Sequence, residues 1–220
     1  MDSIIGLVIA LLMIRGSTSL RILALHGSGS HGARFSAQTS KFQEELGKLS
    51  LQPEYTFLDG PFIKEAGLSW WSMRDGERSS NAKELIGLDV SLGLIEESAS
   101  YDIIMGHSQG AMMAAIALSR SLLRLGNPQQ KTPKLAILSG SSYPEAMKDL
   151  FISSSSCLNG LRSVHAIGSD DKVNPPELAH RLASSFSAEV IEHDGGHIFP
   201  QDDASLEMMM SAIEDVFLSH

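Results

Sequence analysis

Apolar and polar positions follow two alternating rhythms from Leu20 to the C-terminus. Short apolar runs of strand length fall at residues 20–25, 55–58, 101–105, 134–138, 162–167 and 188–192. Between them, apolar residues recur three or four positions apart, the spacing of one helix face. Phe35, Phe42, Leu46 and Leu49 form one such face, and Leu85, Leu88, Leu92 and Ile95 another. A helix over 109–125 opens with Ala111, Met112, Met113, Ala114 and Ala115, residues small or flexible enough to lie close against a sheet. Pro175-Pro176 opens a further helix, since a proline lacks only an N–H that the first turn would leave unpaired. The last helix carries Leu206, Met209, Met210, Ile213 and Phe217. Residues 62–80 show no clear period and contain Trp70-Trp71, which reads as a long active-site loop or small cap.

Strand and helix in alternation predict the α/β class, with a mainly parallel sheet flanked by helices and no large lid. No repeat, low-complexity tract or linker divides residues 20–220, so one compact domain is expected there. Residues 1–19 stand apart. Their apolar run at 4–14 is too short to span a membrane comfortably and has the length of a signal-peptide core, with small residues after it. Asp2 and the lack of a preceding Lys or Arg make a poor start for a signal, so the segment is read as an extension without targeting function, with a cleaved or anchoring signal as the alternative, and is set outside the fold.

Charge and cysteine content narrow the function classes. The net charge of −9 argues against a nucleic-acid partner, because phosphate binding needs clustered Lys and Arg. The single cysteine, Cys157, rules out an internal disulfide and a cysteine metal cluster. No H-E-x-x-H or similar spacing suggests a metal, and no G-K-[ST] follows the glycines at 27 and 29 to make a phosphate loop.

The chemistry gathers where the expected strands stop. His26, Asp59, Ser108, Asp171 and His197 all lie just past strand ends, the edge at which open parallel sheets bind ligands. Gly106-His107-Ser108-Gln109-Gly110 joins a strand to a helix, the setting of a nucleophile elbow. A serine hydroxyl at neutral pH needs a base, a group that holds the base, and donors for an oxyanion. Ser108 is the candidate nucleophile. His197, after Gly195-Gly196, is the candidate base, with His193 as the alternative nearer the strand. Asp171 is the candidate orienter, four residues before Pro175, and spacing alone leaves the adjacent Asp170 open. The oxyanion hole would take the N–H of Gln109 and, from the loop after the first strand, that of Ser28. Trp70 and Trp71 are read either as core or as the lining of the substrate pocket beside Ser108.

These motifs together resemble the FSH family of serine hydrolases, the ovarian-cancer-associated-gene-2-like group of the α/β-hydrolase superfamily. The resemblance rests on Leu25-His26-Gly27 with Phe35, Asp59-Gly60-Pro61, Trp70-Trp71, Gly87-Leu88 and Gly106 to Ala111. It continues through Ser139-Gly140, Gly168 to Asp171, Pro175-Pro176-Glu177 and Gly196-His197. Two positions depart from the pattern: His107 stands where the family usually has Phe, and Asn174 where it has Val. The resemblance implies hydrolysis of carboxylic esters or thioesters by a triad of Ser108, Asp171 and His197, on small-molecule substrates and without cofactor or metal. An acyl-protein thioesterase or general carboxylesterase shares the same elbow. A non-catalytic member of the fold, kept as a binding protein, is the reading from another class. The resemblance also implies a cytoplasmic or nuclear location. Residues 1–19 would redirect the chain to the secretory pathway as a signal, or to a membrane as an anchor.

Overall fold

The computed structural model describes residues 19–219, so the apolar run at 4–14 lies outside the described residues. In chain order the elements are β1 (Ser19–Leu25), α1 (Gly32–Gln38), α2 (Ser40–Gly47), β2 (Gln52–Leu58), β3 (Phe62–Lys64), β4 (Gly67–Ser69) and α3 (Leu88–Glu97). They continue as β5 (Ile103–His107), α4 (Gln109–Leu122), β6 (Leu135–Ser139), α5 (Lys148–Leu158), β7 (Arg162–Gly168), α6 (Pro176–Phe186), β8 (Glu189–His193) and α7 (Asp203–Phe217).

Six strands form one sheet in the order β2-β1-β5-β6-β7-β8, and every neighbouring pair is parallel. The central strands β5 and β6 are buried at every position. Their unbroken apolar sequence suits a parallel sheet covered on both faces. At the edge, β2 alternates exposed and half-buried residues and tolerates Pro53, which an interior strand would not. On one face, Ile22, Ala24, Ile103, Met105 and Val164 pack with Phe35, Phe42, Leu46, Leu206, Met209 and Ile213 from α1, α2 and α7. On the other, Leu23, Leu25, Ile104 and Leu138 pack with residues of α3, α4, α5 and α6.

Register sets the functional rim. Leu25 pairs with both Leu58 and Gly106, and His107 pairs with Ser139, so β1, β2, β5 and β6 end level with one another. Gly168 pairs with His193 in the same way. The residues that follow each strand are therefore delivered to one edge of the sheet.

Four details differ from the sequence pattern, each for a local reason. The face shared by Phe35, Phe42, Leu46 and Leu49 belongs to two helices, broken at Thr39, with Leu49 beyond the second. The buried Thr39 hydroxyl donates to the Phe35 and Ser36 carbonyls, offering the backbone a partner outside the regular helix. Residues 62–69 are an antiparallel hairpin, β3 and β4, inside the segment read as loop. Leu85 precedes α3, because Gly87 takes φ +84 and the Phe62 ring occupies the place of its missing side chain. Helix α5 has no counterpart in the pattern. Its Ser153–Ser156 run is a weak helix former, and only Phe151, Ser154 and Leu158 face inward. Among the described residues no helix is long and apolar enough to cross a membrane.

One buried imidazole makes the fold sensitive to acid. His165, on β7, packs against Phe186 with ring centroids 5.1 Å apart, and neither ring nitrogen has a partner among the described residues. Burial pushes its pKa well below the ordinary imidazole range, down to about 3. The ring therefore stays neutral in the fold, whereas the unfolded chain takes up a proton near pH 6.5. Its contribution is complete above that pH and is lost as pH falls toward 3. We expect His165→Leu to reduce the slope of folding stability between pH 6 and 4 by about 1.4 kcal/mol per pH unit. Urea unfolding at stepped pH measures it, and an unchanged slope would refute the assignment.

Candidate active site

At the end of β5 the chain turns sharply into α4, and Ser108 sits on the turn with φ 55° and ψ −120°. A positive φ is unfavourable for a residue with a side chain and costs about 1–3 kcal/mol. Backbone hydrogen bonds hold it there. The Ser108 N–H donates to the Ser139 carbonyl at 2.9 Å, and its own carbonyl accepts from Ala111 and Met112, each at 3.1 Å. The flanking glycines are required by space. A Cβ on Gly106 would lie 2.5 Å from the Gly110 carbonyl, and one on Gly110 would lie 2.1 Å from the Leu25 carbonyl oxygen. Both obstacles are backbone and cannot swing aside.

Three of the candidate residues meet above this turn. His197 Nε2 lies 2.9 Å from Ser108 Oγ, and His197 Nδ1 lies 2.6 Å from Asp171 Oδ2. The Asp171 side chain is only 2% exposed, and its other oxygen accepts the N–H groups of Val173 and Asn174, each at 2.8 Å. One carboxylate oxygen is thus committed to its own loop and the other to the imidazole. Asp170, which spacing left open, points outward and pairs with Lys172. His193 is buried at the end of β8, where its Nδ1 accepts the Gly195 N–H at 3.2 Å. Burial holds its pKa below the ordinary value. The loop carrying His197 is set by glycine: Gly196 takes φ +65, and a Cβ on Gly168 would sit 2.0 Å from the Gly196 carbonyl oxygen.

The two departures from the family pattern both touch this cluster. The His107 ring lies 4.9 Å from that of His197, and burial followed by the neighbouring imidazole pushes its pKa down to about 3. It is a neutral ring beside His197. Asn174 donates from Nδ2 to the Gly140 carbonyl at 2.7 Å, tying the Asp171 loop to the turn after β6. Gly140, at φ +54, leaves the space in which the two imidazoles meet; a Cβ there would be 2.9 Å from His107 Cε1 and 3.3 Å from His197 Cε1.

The loop after β1 lies against Ser108, since a Cβ on Gly27 would be 3.1 Å from the Ser108 Cβ. The N–H groups of Ser28 and Gln109 have no hydrogen-bond partner among the described residues. The peptide plane carrying the Ser28 N–H is fixed through its carbonyl. Gly27 O accepts from Ser30 N–H at 3.1 Å and contacts His26 Nδ1 at 2.8 Å. His26 Nε2 accepts from the Gly60 N–H at 3.0 Å, so the proton of this neutral ring resides on Nδ1 and is donated to Gly27. Burial favours that neutral form by lowering the pKa of His26. The hairpin braces the same loop: Gly29 donates to Leu68 at 2.8 Å and Leu68 to Ser30 at 2.7 Å, while Lys64 Nζ reaches Ser28 Oγ at 3.3 Å.

Trp70 and Trp71 depart from their expected place in a substrate pocket. Both are fully buried and present no surface to an open cleft. An indole offers large apolar area to a core, provided its N–H finds an acceptor. Trp70 Nε1 donates to the His26 carbonyl at 2.8 Å, and Trp71 Nε1 to Ser79 Oγ at 3.2 Å. The side chain of Gln109 grips the backbone of both: its Oε1 accepts the Trp70 N–H at 2.9 Å and its Nε2 donates to the Trp71 carbonyl at 3.1 Å. This use of Gln109, and the buried imidazole of His26, were not read from the sequence. The available signal was a single amide opening an otherwise apolar helix turn. No group of three or more His, Cys, Asp or Glu able to hold a metal ion occurs among the described residues.

Comparison with known proteins bears on the family and the fold. The Drosophila melanogaster protein Esterase CG5412 is 25% identical over 221 residues, covering 89% of this chain and 74% of its own length. Mouse Esterase OVCA2 is 34% identical over 139 residues, or 60% of each chain. The crystal structure of Zea mays acyl-protein thioesterase 2 aligns with a TM-score of 0.66 at 18% identity, over 90% of this chain and 96% of that one. At that identity the likeness speaks to the fold, which is that of the α/β-hydrolases. The family model described as serine hydrolase (FSH1) matches residues 16–209, a span that takes in the elbow, both partners of Ser108 and the loop beside it, and the chain belongs to that family.

Proposed function

We propose that this chain cleaves small carboxylic esters or thioesters through an acyl-enzyme on Ser108. The observation that carries the reading is the continuous line from Ser108 Oγ through His197 to Asp171, at 2.9 and 2.6 Å, beside two unpartnered N–H groups. The esterase names of the relatives support the substrate class.

The roles follow from the hydrogen bonds. His197 donates its Nδ1 proton to Asp171, which leaves the Nε2 lone pair directed at the Ser108 hydroxyl. As Oγ bonds to the carbonyl carbon, its proton passes to Nε2 and the carbonyl electron pair moves onto oxygen. The N–H groups of Gln109 and Ser28 receive that oxyanion, already oriented and with no protein acceptor to give up among the described residues. Asp171 stabilises the imidazolium. Collapse of the tetrahedral intermediate breaks the bond to the alkoxide or thiolate, which takes the proton from Nε2. Water then gives a proton to the same nitrogen as it attacks the acyl carbon; the bond from that carbon to Oγ breaks, Oγ takes the proton back from Nε2, and the acid leaves.

Ser108→Ala is expected to abolish both turnover of p-nitrophenyl esters and labelling by a fluorophosphonate probe, with the unfolding midpoint retained. Undiminished labelling in that variant would place the nucleophile elsewhere. Asp171→Asn is expected to lower kcat by about 10⁴-fold with little change in KM, because an amide in that position favours the wrong imidazole tautomer. Asp170→Asn, at the exposed ion pair, should stay near wild type. Steady-state kinetics on the pair decides it: equal losses in the two variants would remove Asp171 from its role.

A further inference from the structure

The two oxyanion donors belong to different parts of the chain. Ser28 follows β1, and Gln109 opens α4, 81 residues later. Their N–H groups are useful only if their separation and directions are held to a fraction of an ångström, because a donor must meet the developing charge and not the ground-state carbonyl. The contacts between β1 and α4 bring the segments together but do not by themselves aim either N–H.

The geometry points to Trp70 as the positioning residue that fixes the two donors relative to each other. Its backbone N–H is held by Gln109 Oε1 at 2.9 Å, and its indole N–H is held by the His26 carbonyl at 2.8 Å. One residue therefore bonds to the side chain of one donor residue and to the backbone two positions before the other. Its ring also lies against the His26 imidazole, with centroids 5.2 Å apart, and that imidazole donates to the carbonyl of the peptide bearing the Ser28 N–H. The Trp70 carbonyl is occupied as well, by the Ser91 hydroxyl of α3. All of Trp70 is buried, so none of these bonds exchanges with water. The role follows from contacts and not from reach to the substrate, so Trp70 acts through the donors and touches no reacting atom.

Trp71 supplies the internal control. It is equally buried and belongs to the same core cluster, yet its indole N–H goes to Ser79 in the following loop and not toward the donors. A merely structural role predicts similar consequences for the two positions. A positioning role predicts a difference that appears in catalysis and not in stability.

This inference rests on the function proposed above, and wild-type turnover with Ser108 labelling tests that reading separately. Trp70→Phe keeps an aromatic ring against His26 and removes the indole N–H. It is expected to lower kcat by about 10- to 100-fold with KM nearly unchanged, short of the loss from deleting a donor outright. Affinity for a trifluoromethyl ketone, which forms a tetrahedral oxyanion on the serine, should fall by the same factor. Affinity for the product acid should hold. Trp71→Phe should lose comparable thermal stability while staying within about threefold of wild type in both kcat and ketone affinity. If Trp70→Phe does not fold, 3-benzothienylalanine at position 70 keeps the shape of the indole and replaces only its N–H. Wild-type kcat in the Trp70 variant, equal losses at both positions, or a loss confined to KM would each overturn the inference.

Discussion

The site depends on a contact between backbones. Gly110, in the first turn of α4, lies so close to the end of β1 that any side chain would overlap the Leu25 carbonyl. That approach brings the helix start beneath the loop that follows β1. It also forces the chain at Ser108 through a turn too tight for an ordinary φ. The strain is confined to one residue and offset by three backbone hydrogen bonds. Its consequence is a hydroxyl presented past the end of β5, near the two unpartnered N–H groups of Ser28 and Gln109. Everything else at the rim is arranged around that fixed point.

Charge is handled with equal economy. His26, His107, His165 and His193 are all buried, and in each burial is the largest cause that holds the imidazole neutral. His197 alone among the rim imidazoles contacts a carboxylate, that of Asp171. Burial and then the neighbouring imidazole of His197, 4.9 Å away, hold the His107 ring neutral. His107 thus presents an uncharged aromatic wall to His197.

The loops beyond the strands differ in how they are held. The Asp171 loop is fixed by its own carboxylate, which accepts two of its N–H groups, and by Asn174 reaching across to Gly140. The loop after β1 is braced by elements distant in sequence: the β3–β4 hairpin, Gly60 and Trp70. Of the aromatic pair that looks like substrate lining in a sequence, Trp70 is, in the fold, part of this bracing, while the Trp71 indole turns to Ser79. The buried Trp70 indole shields its hydrogen bond to the His26 carbonyl from solvent, which strengthens that bond.

Periodicity was enough to place the six parallel strands, because each is a short apolar run bounded by glycine, proline or polar residues, and enough to infer that their ends share one edge. The elbow was legible because its requirements are local: glycine where backbones touch, serine between them, small residues after. The order of Ser108, Asp171 and His197 was legible for the same reason. Spacing could not choose between Asp170 and Asp171, since both follow β7 and only the turn decides which carboxylate is buried beneath the imidazole. Nor could it show the break at Thr39 or helix α5, where local preferences are weak and packing decides. The burial of both tryptophans and the grip of Gln109 on their backbone also lay beyond it. Those bonds join residues 38 to 44 positions apart, and only the folded chain brings such partners within reach. Residue type and spacing fixed which groups could act; long-range packing fixed which of them meet.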